Sequence, residues 1–235
     1  ADRLRAAFND QFWLPRQRYY AFCRQADGRF STSIASNAAH ALWSGIVDPR
    51  RAAAVVRRVL QPDMFSGWGV RTLSSKDAAY NPVDYQVGSV WPHDNAMIVA
   101  GMQRYGFADA ANQVFTAIME AASQFEHFRL PEVFAGYERA LASKPVKYPV
   151  ACNPQAWAAG SIPFMLASIL GLEPDGFRRT LRIRQPRLPA WLAWVSVRNL
   201  RLGEAEVDLR FERSEDRTLV AVTRKAGDVL VSVES

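Results

Sequence analysis

The sequence predicts a mainly α fold with a small β-rich region at its end. Up to Gly171 the apolar side chains recur with the 3.6-residue period of a helix, whereas after Pro174-Asp175-Gly176 they alternate with a period of two. Two long segments with neither period interrupt the helical part. We therefore expect one domain over residues 1–176 and a small β element over residues 177–235.

Six segments have the apolar spacing and the end signals of helices. They cover residues 2–13, 36–47, 49–60, 92–105, 108–125 and 154–170. The third has the clearest start, because Asp48-Pro49 supplies a capping carboxylate and a proline at the first helical position. For the second, Ser36-Asn37 is the expected cap. Short turns between neighbouring segments predict helical hairpins.

Period-two patterns predict five short strands near the end of the chain. They lie around residues 181–183, 194–197, 207–211, 219–222 and 229–233. Asp27-Gly28 indicates an additional tight hairpin between the first two helices, because glycine readily adopts the positive backbone angles of such turns. We expect this hairpin to be a small addition to the helical part.

Composition and charge exclude several classes of protein. The chain has 235 residues, 49% of them hydrophobic and 22% charged, which excludes disorder and collagen. The net charge of +6 comes mostly from arginines scattered among acids, so we expect no nucleic-acid partner. The least polar stretch, 148–172, is too interrupted to span a membrane. Cys23 and Cys152 do not form a disulfide framework, and we expect a cytoplasmic protein without an export signal.

The two irregular segments, 62–90 and 126–153, combine aromatic rings with carboxylates, amides and arginine. Flat sugar faces stack on aromatic rings while sugar hydroxyls need hydrogen-bond partners, so this mixture indicates a carbohydrate cleft. The alternative is a pair of rigid loops packed by their own aromatics. The candidate sugar contacts are Trp68, Arg71, Tyr85, Gln86, Trp91, His93, Asp94, Tyr137, Gln155 and Trp157.

Four ordered motifs resemble a known family. They are FSGWGVRTLSS (65–75), YQVGSVWPHDNAMI (85–98), LPEVFAGY (130–137) and YPVACNPQAWAAG (148–160). They are similar to motifs in the C-terminal half of bacterial amylo-α-1,6-glucosidase-type glycogen-debranching proteins, which are (α/α)6-barrel glycoside hydrolases. The resemblance covers roughly residues 1–200. It implies half of an (α/α)6 barrel, with six of the twelve helices here and the N-terminal half absent from this chain.

The resemblance also implies catalysis by two carboxylic acids. In the inverting reaction one acid protonates the leaving oxygen and the other activates water. The family's base motif matches Pro131-Glu132-Val133-Phe134-Ala135-Gly136, so Glu132 is the candidate base. The alternative is a surface glutamate that caps or pairs with Arg129. No counterpart of the family's acid motif is found, and Asp94, at a helix start, suits capping or sugar binding better than catalysis.

The resemblance thus implies part of an inverting hydrolase of α-glucans or related α-glucosides, which we expect to be inactive on its own because its acid lies outside the chain. The alternative is a non-catalytic carbohydrate-binding or scaffold fragment. The expected partners are an oligosaccharide or α-glucan and either the N-terminal half of the same protein or a second copy. No metal or cofactor is expected, because His40, His93 and His127 lack ligand spacing. Cys152 is expected to be buried rather than nucleophilic.

Overall fold

The computed structural model describes residues 1–215 and 217–234. The chain forms two compact units, Ala1–Met165 and a second unit that begins at Leu166, within the last helix. The structure is 32% helical and 24% strand, so the fold is mixed rather than mainly α as the sequence predicted. The difference arises because the strands of the second unit extend well beyond their apolar cores.

Six α-helices lie within the described residues, in the six predicted places. They are α1 (Asp2–Gln11), α2 (His40–Ser44), α3 (Pro49–Val59), α4 (Pro92–Arg104), α5 (Ala108–Ala122) and α6 (Ala156–Ile169). The expected cap of α3 is confirmed, since the Asp48 carboxylate accepts a hydrogen bond from the Arg50 N–H at 3.0 Å. The expected cap at Ser36-Asn37 is wrong, because Ser36–Ala39 is a 3-10 turn without a capping side chain.

The core of the first unit is built by α2, α4 and α5. Helix α2 packs against α4, and α4 packs against α5. Gly101 of α4 permits the first contact, because a Cβ atom there would lie 2.6 Å from the backbone nitrogen of Trp43. The predicted Asp27-Gly28 hairpin is confirmed by a bridge between Arg24 and Phe30.

The two irregular segments lie side by side. Of the isolated bridges that they form, Arg71 to Val90 lies within the first segment, Val90 to Phe134 joins the two segments, and Phe134 to Lys147 lies within the second. The Val90 N–H donates to the Phe134 carbonyl at 2.8 Å, and the Phe134 N–H donates to the Val90 carbonyl at 3.0 Å. Asn95 of α4 fastens the first segment, because its side chain bonds both the N–H and the carbonyl of Val70, at 2.7 and 3.1 Å. This pairing sets the position of the LPEVFAGY motif.

Short strands β1 (Trp13–Leu14) and β2 (Tyr19–Tyr20) pair in the first unit. The second unit contains β3 (Leu172–Asp175), β4 (Thr180–Arg184), β5 (Trp194–Leu202), β6 (Ala205–Ser214), β7 (Arg217–Ala226) and β8 (Leu230–Glu234). These six strands form two sheets, in the orders β3-β4-β8 and β5-β6-β7. Strand β3 was not predicted.

Both sheets of the second unit contribute to one apolar core. Leu181 and Ile183 come from the first sheet, and Val207, Leu209 and Phe211 come from the second. In neither unit do the described residues include a helix long and apolar enough to cross a membrane.

Candidate active site

Glu132 lies on the segment between α5 and α6, and both of its carboxylate oxygens are held. The Tyr85 hydroxyl donates to Oε1 at 2.6 Å, and the Cys152 N–H donates to Oε2 at 3.1 Å. The Glu132 N–H in turn donates to the Cys152 carbonyl at 3.0 Å. The hydrogen bond from Tyr85, followed by that from Cys152, lowers the pKa of Glu132. The side chain is therefore a half-buried, ionised carboxylate in a fixed orientation.

The backbone and ring of Tyr85 are held by nearby residues from both irregular segments and from the start of α4. The Trp91 Nε1–H and the Ser89 hydroxyl both donate to the Tyr85 carbonyl, at 3.0 and 2.7 Å. Its ring meets that of Trp91 edge to face at 4.7 Å and that of Tyr148 at 5.6 Å. The hydrogen bond to Glu132 raises the pKa of Tyr85 to about 12, so the phenol stays protonated and remains a donor.

An aromatic surface lies beside this carboxylate. The His93 ring stacks on the Trp157 ring with centroids 4.1 Å apart and an interplanar angle of 15°, and it meets the Trp91 ring at 5.4 Å. Trp157 is 62% exposed, which leaves most of its surface available to a ligand. Burial lowers the pKa of His93, so the imidazole is neutral near pH 7. A neutral imidazole between two indoles suits contact with an uncharged ligand.

Asp94 follows His93 on the first turn of α4 and is nearly fully buried. Its carboxylate contacts the imidazole Nε2 of His40. Burial disfavours the charged imidazole, but the contact with Asp94 outweighs this and raises the pKa of His40. The partner of Asp94 is thus the half-buried imidazole of the first residue of α2.

Two of the predicted sugar contacts lie inside the loops. Arg71 is fully buried, and its guanidinium donates to the carbonyls of Gly136 and Pro62 at 2.6 and 2.8 Å. Trp68 is 3% exposed, with the Arg139 guanidinium over its ring at 4.2 Å. Neither side chain is accessible to a sugar in this arrangement. Both residues pack the loops, which corrects the role expected for them.

The remaining candidates differ in exposure. Gln86 and Tyr137 are exposed. The Gln155 side chain accepts a hydrogen bond from the Ala158 N–H at 2.8 Å, at the start of α6. Cys152 is exposed, which corrects its expected burial. Among residues 1–215 and 217–234 no three His, Cys, Asp or Glu side chains are grouped as a metal site.

Three contributors to the site were missed by sequence reasoning. They are Tyr148 against Tyr85, His40 against Asp94 and the backbone N–H of Cys152 against Glu132. Each acts across a sequence separation at which no local pattern operates. Only Tyr148 had a signal, as an aromatic residue at the start of one of the four motifs.

The fold resembles several solved glycoside hydrolases. The GH63 mannosylglycerate hydrolase of Thermus thermophilus in complex with glucose matches with a TM-score of 0.54 and 18% identity, over 66% of this chain and 34% of that one. A GH78 rhamnosidase of Bacillus sp. GL1 matches with a TM-score of 0.64 and 20% identity, over 99% and 22%. Neutral trehalase Nth1 of Saccharomyces cerevisiae matches with a TM-score of 0.52 and 13% identity, over 70% and 29%.

Sequence comparison gives a more specific relationship. A mannosylglycerate hydrolase of Rubrobacter radiotolerans is 26% identical over 129 residues, which are 52% of this chain and 29% of that protein. The chain thus spans about a third of the length of the relatives it matches. The expected membership of a glycoside hydrolase family is confirmed, but the amylo-α-1,6-glucosidase and glycogen-debranching assignment is not supported. Residues 1–140, which include Glu132, match the family model of the mannosylglycerate hydrolase MGH1-like glycoside hydrolase domain, so the chain belongs to that family.

Proposed function

We propose that this chain supplies the general base and part of the sugar cleft of an inverting glycoside hydrolase. The observation that carries the proposal is the Glu132 carboxylate, ionised, half-buried and held at both oxygens beside exposed aromatic rings. A carboxylate has about four lone-pair positions, so two donors leave room for a water molecule. Glu132 would take a proton from that water as its oxygen attacks the anomeric carbon.

The second carboxylic acid of the reaction is proposed to lie outside this chain, in the N-terminal part of the same protein or in a second copy. In inverting enzymes the two carboxyl groups lie about 6.5–9.5 Å apart, on opposite sides of the scissile bond. Asp94 is poorly suited to be the acid, because it is nearly fully buried and contacts His40. An acid that must protonate a leaving oxygen needs access to the substrate.

The aromatic surface would hold the sugar ring. Trp157 and Trp91, with His93 between them, offer flat faces for stacking, and Gln86 and Tyr137 are exposed polar candidates for its hydroxyls. A proposed uncharged sugar ring fits a surface whose histidine is neutral. Half of an (α/α)6 barrel remains the proposed architecture around this cleft.

For the substrate we propose a small α-mannoside or α-glucoside, of which mannosylglycerate is the first to test. The support is the family match and the relative from Rubrobacter radiotolerans. An α-glucan, suggested by the resemblance to debranching proteins, is the competing substrate.

Cys23 and Cys152 are both free, and we propose a cytoplasmic location on that basis.

The test is Glu132→Gln in the full-length protein, assayed on mannosylglycerate, glucosylglycerate and an α-1,6-branched dextrin. Loss of the base should lower kcat by about 10²–10⁴-fold and leave the circular dichroism spectrum unchanged. NMR of the wild-type reaction should show the β-anomer as first product. The matched control is Glu126→Gln, whose exposed carboxylate pairs with Lys147 on the same segment at 3.3 Å.

Two results would contradict this function. An active Glu132→Gln enzyme would exclude Glu132 as base, and retention of the α-anomer would exclude inversion. A full-length protein that binds the sugars without hydrolysing any of them would favour the carbohydrate-binding alternative.

A further inference from the structure

The Tyr85 hydroxyl and the Glu132 carboxylate come from different irregular segments, 47 residues apart, yet meet at 2.6 Å. The sequence predicts Tyr85 as a sugar contact. Tyr85 is 36% exposed, but its hydroxyl donates to the carboxylate and its ring packs against the ring of Trp91. The hydroxyl of Tyr85 thus binds Glu132, and its ring packs against Trp91.

We propose that Tyr85 is a positioning residue that orients Glu132 and keeps it ionised for base catalysis, an inference that rests on the proposed function. The two donors to Glu132 differ in kind. The Cys152 N–H belongs to the backbone, whereas the Tyr85 hydroxyl is the only side-chain oxygen or nitrogen donor to this carboxylate in the described part of the chain. The hydrogen bond from Tyr85 makes the largest contribution to the lowered pKa of Glu132.

The position of Tyr85 is itself fixed. Its carbonyl accepts from Trp91 and Ser89, and Trp91 directly precedes α4. The phenol is thus tied to the start of a packed helix while the carboxylate is tied to the Cys152 backbone. A hydrogen bond between two groups anchored in this way defines the plane of the carboxylate, which general base catalysis requires.

The electrostatic effect has a definite sign. A donor to the charged form stabilises the carboxylate over the carboxylic acid, so the hydroxyl lowers the pKa of Glu132 and is itself made harder to ionise. The other titratable groups around the pair are Cys152, His93 and Tyr148. Of these, His93 is neutral near pH 7, and Tyr148 meets Tyr85 through its ring.

The direct test is the titration of Glu132 in the full-length protein, with and without the hydroxyl. With ¹³C-carboxyl-labelled glutamate, the Glu132 resonance is assigned by its absence in Glu132→Gln. Tyr85→Phe should raise the pKa of Glu132, because it removes the strongest donor to the charged form. The matched control is Tyr148→Phe, which removes a hydroxyl from the adjacent ring and should leave the pKa of Glu132 unchanged. An unchanged Glu132 titration in Tyr85→Phe would overturn the proposal.

The reciprocal measurement needs no change at Tyr85. Coupling between two sites is mutual, so Glu132→Gln should lower the pKa of the Tyr85 phenol from about 12 toward the ordinary value of about 10. Tyrosine labelled with ¹³C at Cζ reports this in the folded protein. A phenol that still titrates near its wild-type value would also overturn the proposal, even if Tyr85→Phe failed to fold.

Kinetics separates positioning from sugar stacking. For a positioning residue, Tyr85→Phe should lower kcat about tenfold at neutral pH and leave KM within about twofold of wild type. The acidic limb of the pH–rate profile should move to higher pH, because the pKa of Glu132 is raised. A rise in KM with an unmoved acidic limb would instead assign Tyr85 to sugar stacking. The base role is tested separately, because an active Glu132→Gln enzyme refutes it whatever the titrations show.

Discussion

At the residue scale, Arg71 shows that an arginine in a sequence context typical of sugar binding can instead be a buried structural residue. In the sequence, Arg71 lies among aromatics and carboxylates, a context typical of sugar contacts. In the structure its guanidinium bonds the Gly136 and Pro62 carbonyls and is fully buried. It therefore joins the segment after α3 to the segment that carries Glu132. Burial depends on the long-range pairing of the two loops, which no local pattern contains.

Arg71→Ala should destabilise the first unit by about 3 kcal/mol, because it removes a large, fully buried side chain together with its hydrogen bonds to the Gly136 and Pro62 carbonyls. Urea unfolding followed by tryptophan fluorescence measures the change. Arg16, which is exposed, provides the matched control, and Arg16→Ala should stay within about 0.5 kcal/mol of wild type. Equal stability of the two variants would show that Arg71 does not hold the loops.

Glu132 itself was identified from the sequence only through the resemblance of its motif. Composition and periodicity give no reason to prefer it to Glu126 or Glu138. What distinguishes it in the structure is its pair of donors, Tyr85 and the Cys152 backbone, which lie 47 and 20 residues away. These donors meet Glu132 only in the folded chain, so the sequence pattern could not predict them.

At the element scale, helices were predicted more accurately than strands. Helix ends depend on local signals. The Asp48 cap of α3 lies where the sequence placed it, and Gly106 after α4 has the left-handed conformation typical of a helix end. Strands depend on partners. Strand β3 contains Glu173 and Pro174 and lacks an apolar alternation, yet it forms because Thr180–Arg184 pairs with it. Charged residues likewise extend β5 and β6, where Arg201 meets Glu206 at 3.2 Å.

Alanine substitutions at two glycines of the first unit should change stability in opposite directions. A Cβ atom on Gly136 would lie 1.7 Å from the Gly88 carbonyl oxygen, so Gly136→Ala must separate the two irregular segments. We expect a loss of about 2 kcal/mol in stability. Gly160 lies on α6 with nothing within 4 Å of its added Cβ, so Gly160→Ala should stabilise by about 0.5–1 kcal/mol through helix propensity alone.

Thermal unfolding compares the two variants directly. Hydrogen exchange adds a local readout, because only Gly136→Ala should reduce protection at Val90 and Phe134, whose N–H groups bond across the two segments. If Gly136→Ala were as stable and as protected as wild type, the close packing of these segments would not describe the protein in solution.

At the scale of the whole molecule, the chain has two compact units and matches about a third of the length of its relatives. The matched family domain covers residues 1–140 and thus contains Glu132, the aromatic residues before α5 and the first irregular segment. The β-rich second unit lies outside that match, whereas the likeness to the GH78 rhamnosidase covers 99% of the chain. The combination of helices with this β unit therefore also occurs in a solved glycoside hydrolase.

The final prediction concerns residues 1–235 expressed without any further sequence. An inverting reaction needs an acid for the leaving oxygen as well as a base for the water. Since the acid is proposed to lie outside this chain, the 235-residue protein should give no measurable turnover of mannosylglycerate, glucosylglycerate or branched dextrin. The full-length protein should hydrolyse at least one of them. Circular dichroism and hydrogen exchange must first show that the shorter protein is folded.

Turnover by the folded 235-residue protein would place the acid among its own residues. Asp94→Asn and Asp77→Asn would then identify it, because the true acid should be needed for substrates with poor leaving groups and much less for aryl glycosides. A folded but inactive chain that regains activity when mixed with the separately expressed remainder would support division of the two carboxyl groups between the two parts. Activity unaffected by that mixing, in a chain already active alone, would refute it.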